Sequence, residues 1–286
     1  MPRVAMKSFA LFAALALARA AVAADDVAKA SDVLKEEPAR ELATPINDRF
    51  SIRASYFPAS VSTDIRLDDS AGVQGTPFSA EDDFGLKDKL NQVRVEVLLR
   101  ILERHRFRVD YFNLRRNGDQ VLTQDIAFGD QTFATGDEVR STIDWKTLNF
   151  TYLYSIFHTQ RFELGGGAGV TLFQGEMRAR VPARLVREDR SGSIAYPSFA
   201  LDGTLRIAKR FSVNARANYL SGHVDGSKGK LSDYHADVQY RWRRNLALGL
   251  GYSKLKTKLD IASDNDLAGR FRLDVDGPEF FVRASF

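Results

Sequence analysis

Residues 234–253 read YHADVQYRWRRNLALGLGYS. Tyr234, Ala236, Val238, Tyr240 and Trp242 alternate with His235, Asp237, Gln239 and Arg241. After residues 243–245 the alternation resumes, with Leu246, Leu248, Leu250 and Tyr252 set against Ala247, Gly249, Gly251 and Ser253. Side chains on a strand point to opposite faces in turn, so period two gives each run one apolar and one polar face. Two such runs joined by a short basic turn form a hairpin.

The pattern extends outward from this hairpin. Phe50, Ile52, Ala54 and Tyr56 alternate with Ser51, Arg53 and Ser55; Val93, Val95, Val97 and Leu99 alternate with Arg94, Glu96, Leu98 and Arg100. Phe211, Val213, Ala215, Ala217 and Tyr219 do so with Ser212, Asn214, Arg216 and Asn218, and Phe280, Val282, Ala284 and Phe286 with Glu279, Phe281, Arg283 and Ser285. Short basic turns fall at 103–105, 158–160, 208–210 and 243–245, and long polar loops at about 70–88, 118–136, 178–193, 223–229 and 260–267. These connections join ten strands, expected at 49–68, 89–102, 106–117, 137–157, 161–176, 194–207, 211–222, 230–242, 245–259 and 268–286. Pro58 and Gly277-Pro278 interrupt the first and last, where bulges are expected. Read as breaks they would make twelve strands, and eight is the other neighbouring even count.

A sheet this amphipathic must pack on another or close on itself. The aromatics favour closure in a membrane. Phe107, Phe162 and Phe211 each follow a short turn, Trp242 precedes one, and Phe286 ends the sequence. Tyr219 and Tyr234 lie eight residues from Phe211 and Trp242, roughly 20 Å along the axis of a tilted barrel. That approaches the apolar band of about 25 Å between the aromatic girdles of membrane barrels. Pairing every backbone group in lipid requires a barrel without an edge. The expected class is therefore all-β, a closed antiparallel transmembrane barrel over residues 49–286.

The beginning of the chain is of another kind. Residues 1–23 carry Arg3 and Lys7, then an apolar run from Phe9 to Ala18, then Ala21-Val22-Ala23. Basic region, short apolar core and small-residue cleavage site, in that order, read as an export signal. Residues 24–48, charged and holding Pro38 and Pro45, read as a periplasmic extension. The formal net charge is +4, three units of it within the signal, so the basic balance gives no reason to expect a nucleic-acid partner. The absence of cysteine excludes disulfides, a thiol nucleophile and cysteine zinc sites.

The run Phe280-Phe281-Val282-Arg283-Ala284-Ser285-Phe286 resembles the terminal strand of small Gram-negative outer-membrane β-barrel proteins, with Phe280, Val282, Ala284 and Phe286 as its apolar positions. Asp82-Asp83-Phe84-Gly85-Leu86, Arg104-His105-Arg106-Phe107 and Gly249-Leu250-Gly251-Tyr252 also resemble segments of uncharacterised members. The resemblance covers about residues 50–286. It implies residence in the bacterial outer membrane and recognition of the last strand by the barrel-assembly machinery. It brings no activity with it.

The polar faces then point inward. They carry Arg53, Arg94, Glu96, Arg100, Arg106, Arg108, Asp110, Glu163, Asp202, Arg206, Arg216, His235, Asp237, Arg241, Glu279 and Arg283. Enclosed charges must be paired or hydrated, and a barrel near eight strands is filled by its own side chains. The expectation is a lumen largely closed by an Arg–carboxylate network. Its surplus of arginine is what a narrow, anion-preferring pore would use.

Other motifs add little chemistry. His105 and His158 sit at short turns and His223 opens a long loop. His235 shares a face with Asp237, as a catalytic histidine and its orienting carboxylate would, but no serine elbow accompanies them. Gly165-Gly166-Gly167-Ala168-Gly169 lies inside a strand and lacks a phosphate loop's ending. It suits a bulky lumen neighbour or tight curvature. Gly226-Ser227-Lys228-Gly229-Lys230 fails as a phosphate loop on the same grounds. Asp264-Asn265-Asp266 lacks the later oxygen ligands of a calcium loop. Glu81-Asp82-Asp83 offers carboxylates for divalent cations on lipopolysaccharide. No cofactor or metal is expected. The sequence points to a non-enzymatic barrel that stabilises the envelope or passes very small solutes, in contact with outer-membrane lipids and lipopolysaccharide. The alternatives are a lipid- or peptide-hydrolysing enzyme and a loop-mediated adhesin or binding barrel, for which Phe128 and Phe133 are the loop aromatics.

Overall fold

The computed structural model describes residues 45–183, 186–224, 226–261 and 268–286. The export signal, residues 24–44 and Asp264-Asn265-Asp266 lie outside the described residues. The strands in chain order are β1 (Phe50–Leu67), β2 (Phe78–Ser79), β3 (Lys89–Arg100), β4 (His105–Val121), β5 (Ile126–Phe128), β6 (Gln131–Phe133), β7 (Glu138–His158), β8 (Phe162–Val181), β9 (Val186–Arg206), β10 (Phe211–Val224), β11 (Ser227–Arg243), β12 (Leu246–Ile261) and β13 (Gly269–Ser285). Ten of them are long. Each pairs antiparallel with the next long strand, and β13 pairs with β1, so the sheet closes into a ten-stranded barrel.

The structure departs from expectation at two kinds of place. The regions 178–193 and 223–229 are largely strand, since β8 runs to Val181 and β9 starts at Val186, and β10 runs to Val224 and β11 starts at Ser227. The outward charges of the first had suggested a loop, yet Met177, Ala179 and Val181 keep pointing inward at period two. Nor do Pro58 and Gly277-Pro278 form bulges. The β1–β13 register is the same on both sides of them, from Tyr56↔Phe280 to Ser60↔Asp276, and Tyr252↔Pro278 and Ser253↔Gly277 pair normally on the other side of β13. The register shifts lie instead near the short turns, at Ser155/Phe157 and at Arg241/Arg243.

Apart from these shifts the long strands keep their parity, but they invert their polarity partway along. On β12 the outward residues are Leu248, Leu250 and Tyr252, and then Lys254, Lys256, Lys258 and Asp260. Inward, Ser253 gives way to Leu255 and Leu259. On β13 Phe280 and Val282 face out near the short turns, while Arg270, Arg272, Asp274 and Asp276 face out towards the long loops. Tyr56, Tyr111, Tyr219, Tyr234 and Tyr252, all exposed, mark the level of the switch. Below them the outside is apolar and the inside charged, the order a strand needs in lipid. Above them the outside is charged and the inside apolar, the order of a barrel wall in water.

The upper interior is a packed hydrophobic core. Phe57, Phe112, Trp145, Phe173, Tyr196 and Phe271 converge there from six strands. The Trp145 and Phe271 rings stack across the lumen with centroids 4.5 Å apart. Burying a side chain of this size contributes about 1.5–3 kcal/mol, and a buried ion pair beside this core, Arg116 with Glu81, is completed by the Thr63 hydroxyl and N–H.

Loop segments complete this half. β3 begins only at Lys89, opposite Ser60, so the upper end of β1 lacks that neighbour. The first long loop fills the gap: β2 pairs with Asp64 and Ile65, and Leu86 bridges to Gly118 on β4. The hairpin β5–β6 lies over the mouth as a lid. On one side Gly129 donates its N–H to the Leu67 carbonyl at 3.2 Å, and on the other Asp130 pairs with Arg190 of β9. Ile126, Phe128 and Phe133 are buried on the underside of this lid, against Phe78 and Phe84.

Candidate functional site

Below the tyrosine level the inward residues of eight of the ten long strands form one charged layer, while β7 and β12 add only small, polar or apolar side chains such as Asn149, Thr151, Gly249 and Ser253. The strand pleat places them there, and their partners lie on neighbouring strands or across the lumen. Arg53 donates to Asp237 at 2.7 Å and to Glu279 at 3.0 Å. Arg100 grips both oxygens of Glu163 at 2.8 Å, and Arg106 grips Asp202 at 2.8 and 3.0 Å. Arg94 lies 3.5 Å from Asp110 and 3.4 Å from Asp233. Arg216 pairs with Glu96 and stands 3.7 Å from Asp110. Arg108 donates to Asn218 at 2.6 Å, with Asp202 at 3.9 Å. Fork-shaped guanidinium–carboxylate contacts of this kind are strong and fixed in geometry. Removing one partner would leave the other charge buried and alone.

The sequence reading omitted two members. Asp233 shares the parity of His235 and Asp237, but lies where β11 was expected only to begin. Asp48 was assigned to the N-terminal extension; it reaches into the short-turn end and accepts from Arg241 at 2.5 and 3.2 Å. With them, nine arginines (53, 94, 100, 106, 108, 206, 216, 241, 283) face eight carboxylates (48, 96, 110, 163, 202, 233, 237, 279). The surplus that suggested anion preference falls from three to one. Arg206 sits half-buried at the short-turn rim, beside Pro45 and Arg241. Arg283 is buried and donates to the Ser51 hydroxyl at 3.0 Å.

Gly165 explains part of the glycine run. A methyl group there would overlap the Arg106 guanidinium and come within 2.8 Å of Asp202. Gly167 and Gly169 instead face the Tyr152 and Phe150 carbonyls at a spacing no Cβ tolerates. One position makes room for the ion pair, and the other two for close strand approach.

The histidines have structural partners. His235 lies 2.9 Å from Asp233 and 3.3 Å from Glu279, touches Arg94, and is 3% exposed. It does not bond to Asp237, which is occupied by Arg53 and by Asn214 at 2.6 Å. His105 bonds to the Tyr152 hydroxyl at 2.7 Å, His158 lies 3.1 Å from Glu163, and His223 is exposed near the end of β10. Among the described residues no group of three His, Asp or Glu side chains is arranged to hold a metal ion. In Glu81-Asp82-Asp83, Glu81 is taken up by Arg116 and by the Thr63 N–H, and Asp83 by the Ser79 N–H. Phe128 and Phe133 belong to the lid's buried side and are not an exposed binding face.

No protein-family model and no curated protein matches the chain. Among solved structures it is similar to the outer membrane protease OmpT of Escherichia coli, at 12% identity and TM-score 0.48, over 87% of this chain and 100% of that one. It is similar to Ail, the attachment invasion locus protein of Yersinia pestis, at 10% identity and TM-score 0.35, over 81% and 97%. The outer membrane protein OprG of Pseudomonas aeruginosa gives 14% identity and TM-score 0.33, over 83% and 95%. These likenesses concern barrel architecture alone.

Proposed function

We propose that the protein is a closed, non-conducting barrel of the bacterial outer membrane that stabilises the envelope and acts through its outer wall. The observation that carries this reading is the double filling of the lumen. A charged layer of paired arginines occupies the belt, and above it Phe57, Phe112, Trp145, Phe173 and Phe271 pack into an apolar core under the β5–β6 lid. A pore needs a continuous hydrated path, and a dry core is its opposite. The near balance of charge also removes the main support for an anion-selective channel. Placement in the outer membrane is supported by the exposed apolar belt, a surface too large to leave in water. Hydrolysis gains no support from His235, which sits in a buried ion cluster.

The test is single-channel recording of the membrane-extracted protein in a planar bilayer, after heat-modifiable gel migration confirms the folded barrel. Silence is expected. Stable openings altered by Arg94→Ala or Arg216→Ala would overturn the proposal.

A further inference from the structure

We infer that the outer wall of β9–β13 holds a phosphate-bearing, multiply acylated lipid of the outer leaflet, a reading that rests on the proposed outer-membrane placement. A groove of about 610 Å³ on the outer wall crosses β9 to β12, and behind its outward rows it also touches Asp202, Arg216 and His235 of the charged layer. Register aligns its floor. Leu201, Ala217, Tyr234 and Lys254 form one outward row, and Gly203, Ala215, Ala236 and Tyr252 the row below, with Leu164 at its edge. Small side chains at the centre and large ones at both sides make the concavity. Four strands spaced about 4.8 Å apart give it a width of roughly 15 Å, room for acyl chains lying side by side.

The groove ends at a cationic column. Lys254 closes it, and Lys256 and Lys258 continue along β12 above the tyrosine level. Lys258 stands directly opposite Lys230 on β11 and directly opposite Arg272 on β13. Like charges facing across strands are destabilising unless something anionic joins them. Among the described residues, Lys230, Lys254, Lys258 and Arg272 form no ion pair, whereas Lys256 meets Asp274 at 3.5 Å and Arg270 meets Asp260 at 2.8 Å. The nearby carboxylates are Asp276, opposite Lys254 and bonded to the Tyr252 hydroxyl, and Asp64, opposite Arg272. On β7 at the same height the outward cations are matched: Lys146 meets Asp144 at 3.2 Å and Arg140 meets Asp119 at 3.4 Å. An apolar groove leading to a place where Lys230, Lys258 and Arg272 stand side by side without an ion pair fits an amphiphile with acyl chains below and phosphates above.

The experiment is native mass spectrometry of the whole protein in neutral detergent with a bisphosphorylated, multiply acylated glucosamine disaccharide. The wild type should retain the lipid. Two variants should each weaken retention at least tenfold: Lys230→Ser with Lys258→Ser and Arg272→Ser, and separately Ala217→Phe with Ala236→Phe. All five positions face outward, and heat-modifiable migration confirms that the variants fold. Equal retention by either variant, equal retention of the dephosphorylated lipid, or displacement by inorganic phosphate alone would overturn the assignment. Channel recording of the same preparations separates the two readings. Openings would refute the closed lumen while leaving the lipid result standing, and loss of lipid specificity with silence would do the reverse.

Discussion

Pro58 on β1 stands in register with Pro278 on β13, at the seam where the ends of the sheet meet. The Phe50 N–H donates to the Phe286 carbonyl and the Phe286 N–H to the Phe50 carbonyl. Even-numbered residues of both strands therefore point their nitrogens into this seam, and at 58 and 278 there is no N–H to give. Pairing lapses at 57–59 while the register continues. Pro58→Thr combined with Pro278→Thr should restore two ladder hydrogen bonds and stabilise the barrel by about 1 kcal/mol for each. Urea unfolding in micelles reads this directly. No rise in the midpoint would mean that the strands do not close the gap at 57–59 even when both N–H groups are supplied.

Asp48 and Arg241 are each almost fully buried at the short-turn end. Asp48→Asn should cost about 3–5 kcal/mol, since it strands a guanidinium away from water. Replacing both, as Asp48→Leu with Arg241→Met, should recover most of that loss. Comparable stability of the single variant and the wild type would show that the contact is solvated.

Gly165 and Arg106 compete for one volume. Gly165→Ala should destabilise by about 1–3 kcal/mol through overpacking, but far less in an Arg106→Ala background. A double-mutant cycle measures the difference. Additive effects would show that the methyl group clashes with something other than the guanidinium.

The lid should loosen in acid. Hydrogen bonds from the Thr135 N–H and hydroxyl hold the Asp125 carboxyl below its ordinary value of 3.8. The Ser70 N–H, and then Arg190, do the same for Asp130. A carboxyl depressed in the folded state contributes stability above its unfolded pKa, and that contribution disappears as pH falls through the lower folded value. Amide exchange at Ser70 and Thr135, corrected for its intrinsic rate, should lose protection below about pH 4, and Asp130→Ala, which removes the acceptor, should release Ser70 at neutral pH. Constant protection across that range would leave the lid tethered by its apolar underside.

The lower charged layer was largely legible because strand parity is a local property. Once Arg53, Arg94, Glu163 and Glu279 are placed on polar faces, closure brings them together. Asp48 escaped notice because it precedes the first alternating residue. The lid escaped notice because Phe128 and Phe133 lie in a loop too short and irregular to show periodicity, and only their burial reveals their side. The cationic column escaped notice too, since Lys230, Lys258 and Arg272 meet only through strand register.

Alternation by itself determined that the chain is a ladder of ten strands with two unlike faces, because side-chain direction on a strand needs only the residue before and after. What the alternation did not determine was which face is inside at each height. Leu250 and Lys258 share one parity on β12, and both face out. The polarity that suits the outside depends on whether lipid or water lies there, and that depends on height along the closed barrel. Tertiary structure alone decided that the layer of paired charges gives way at the tyrosine level to an aromatic core, with Arg116 and Glu81 as a buried ion pair beside it.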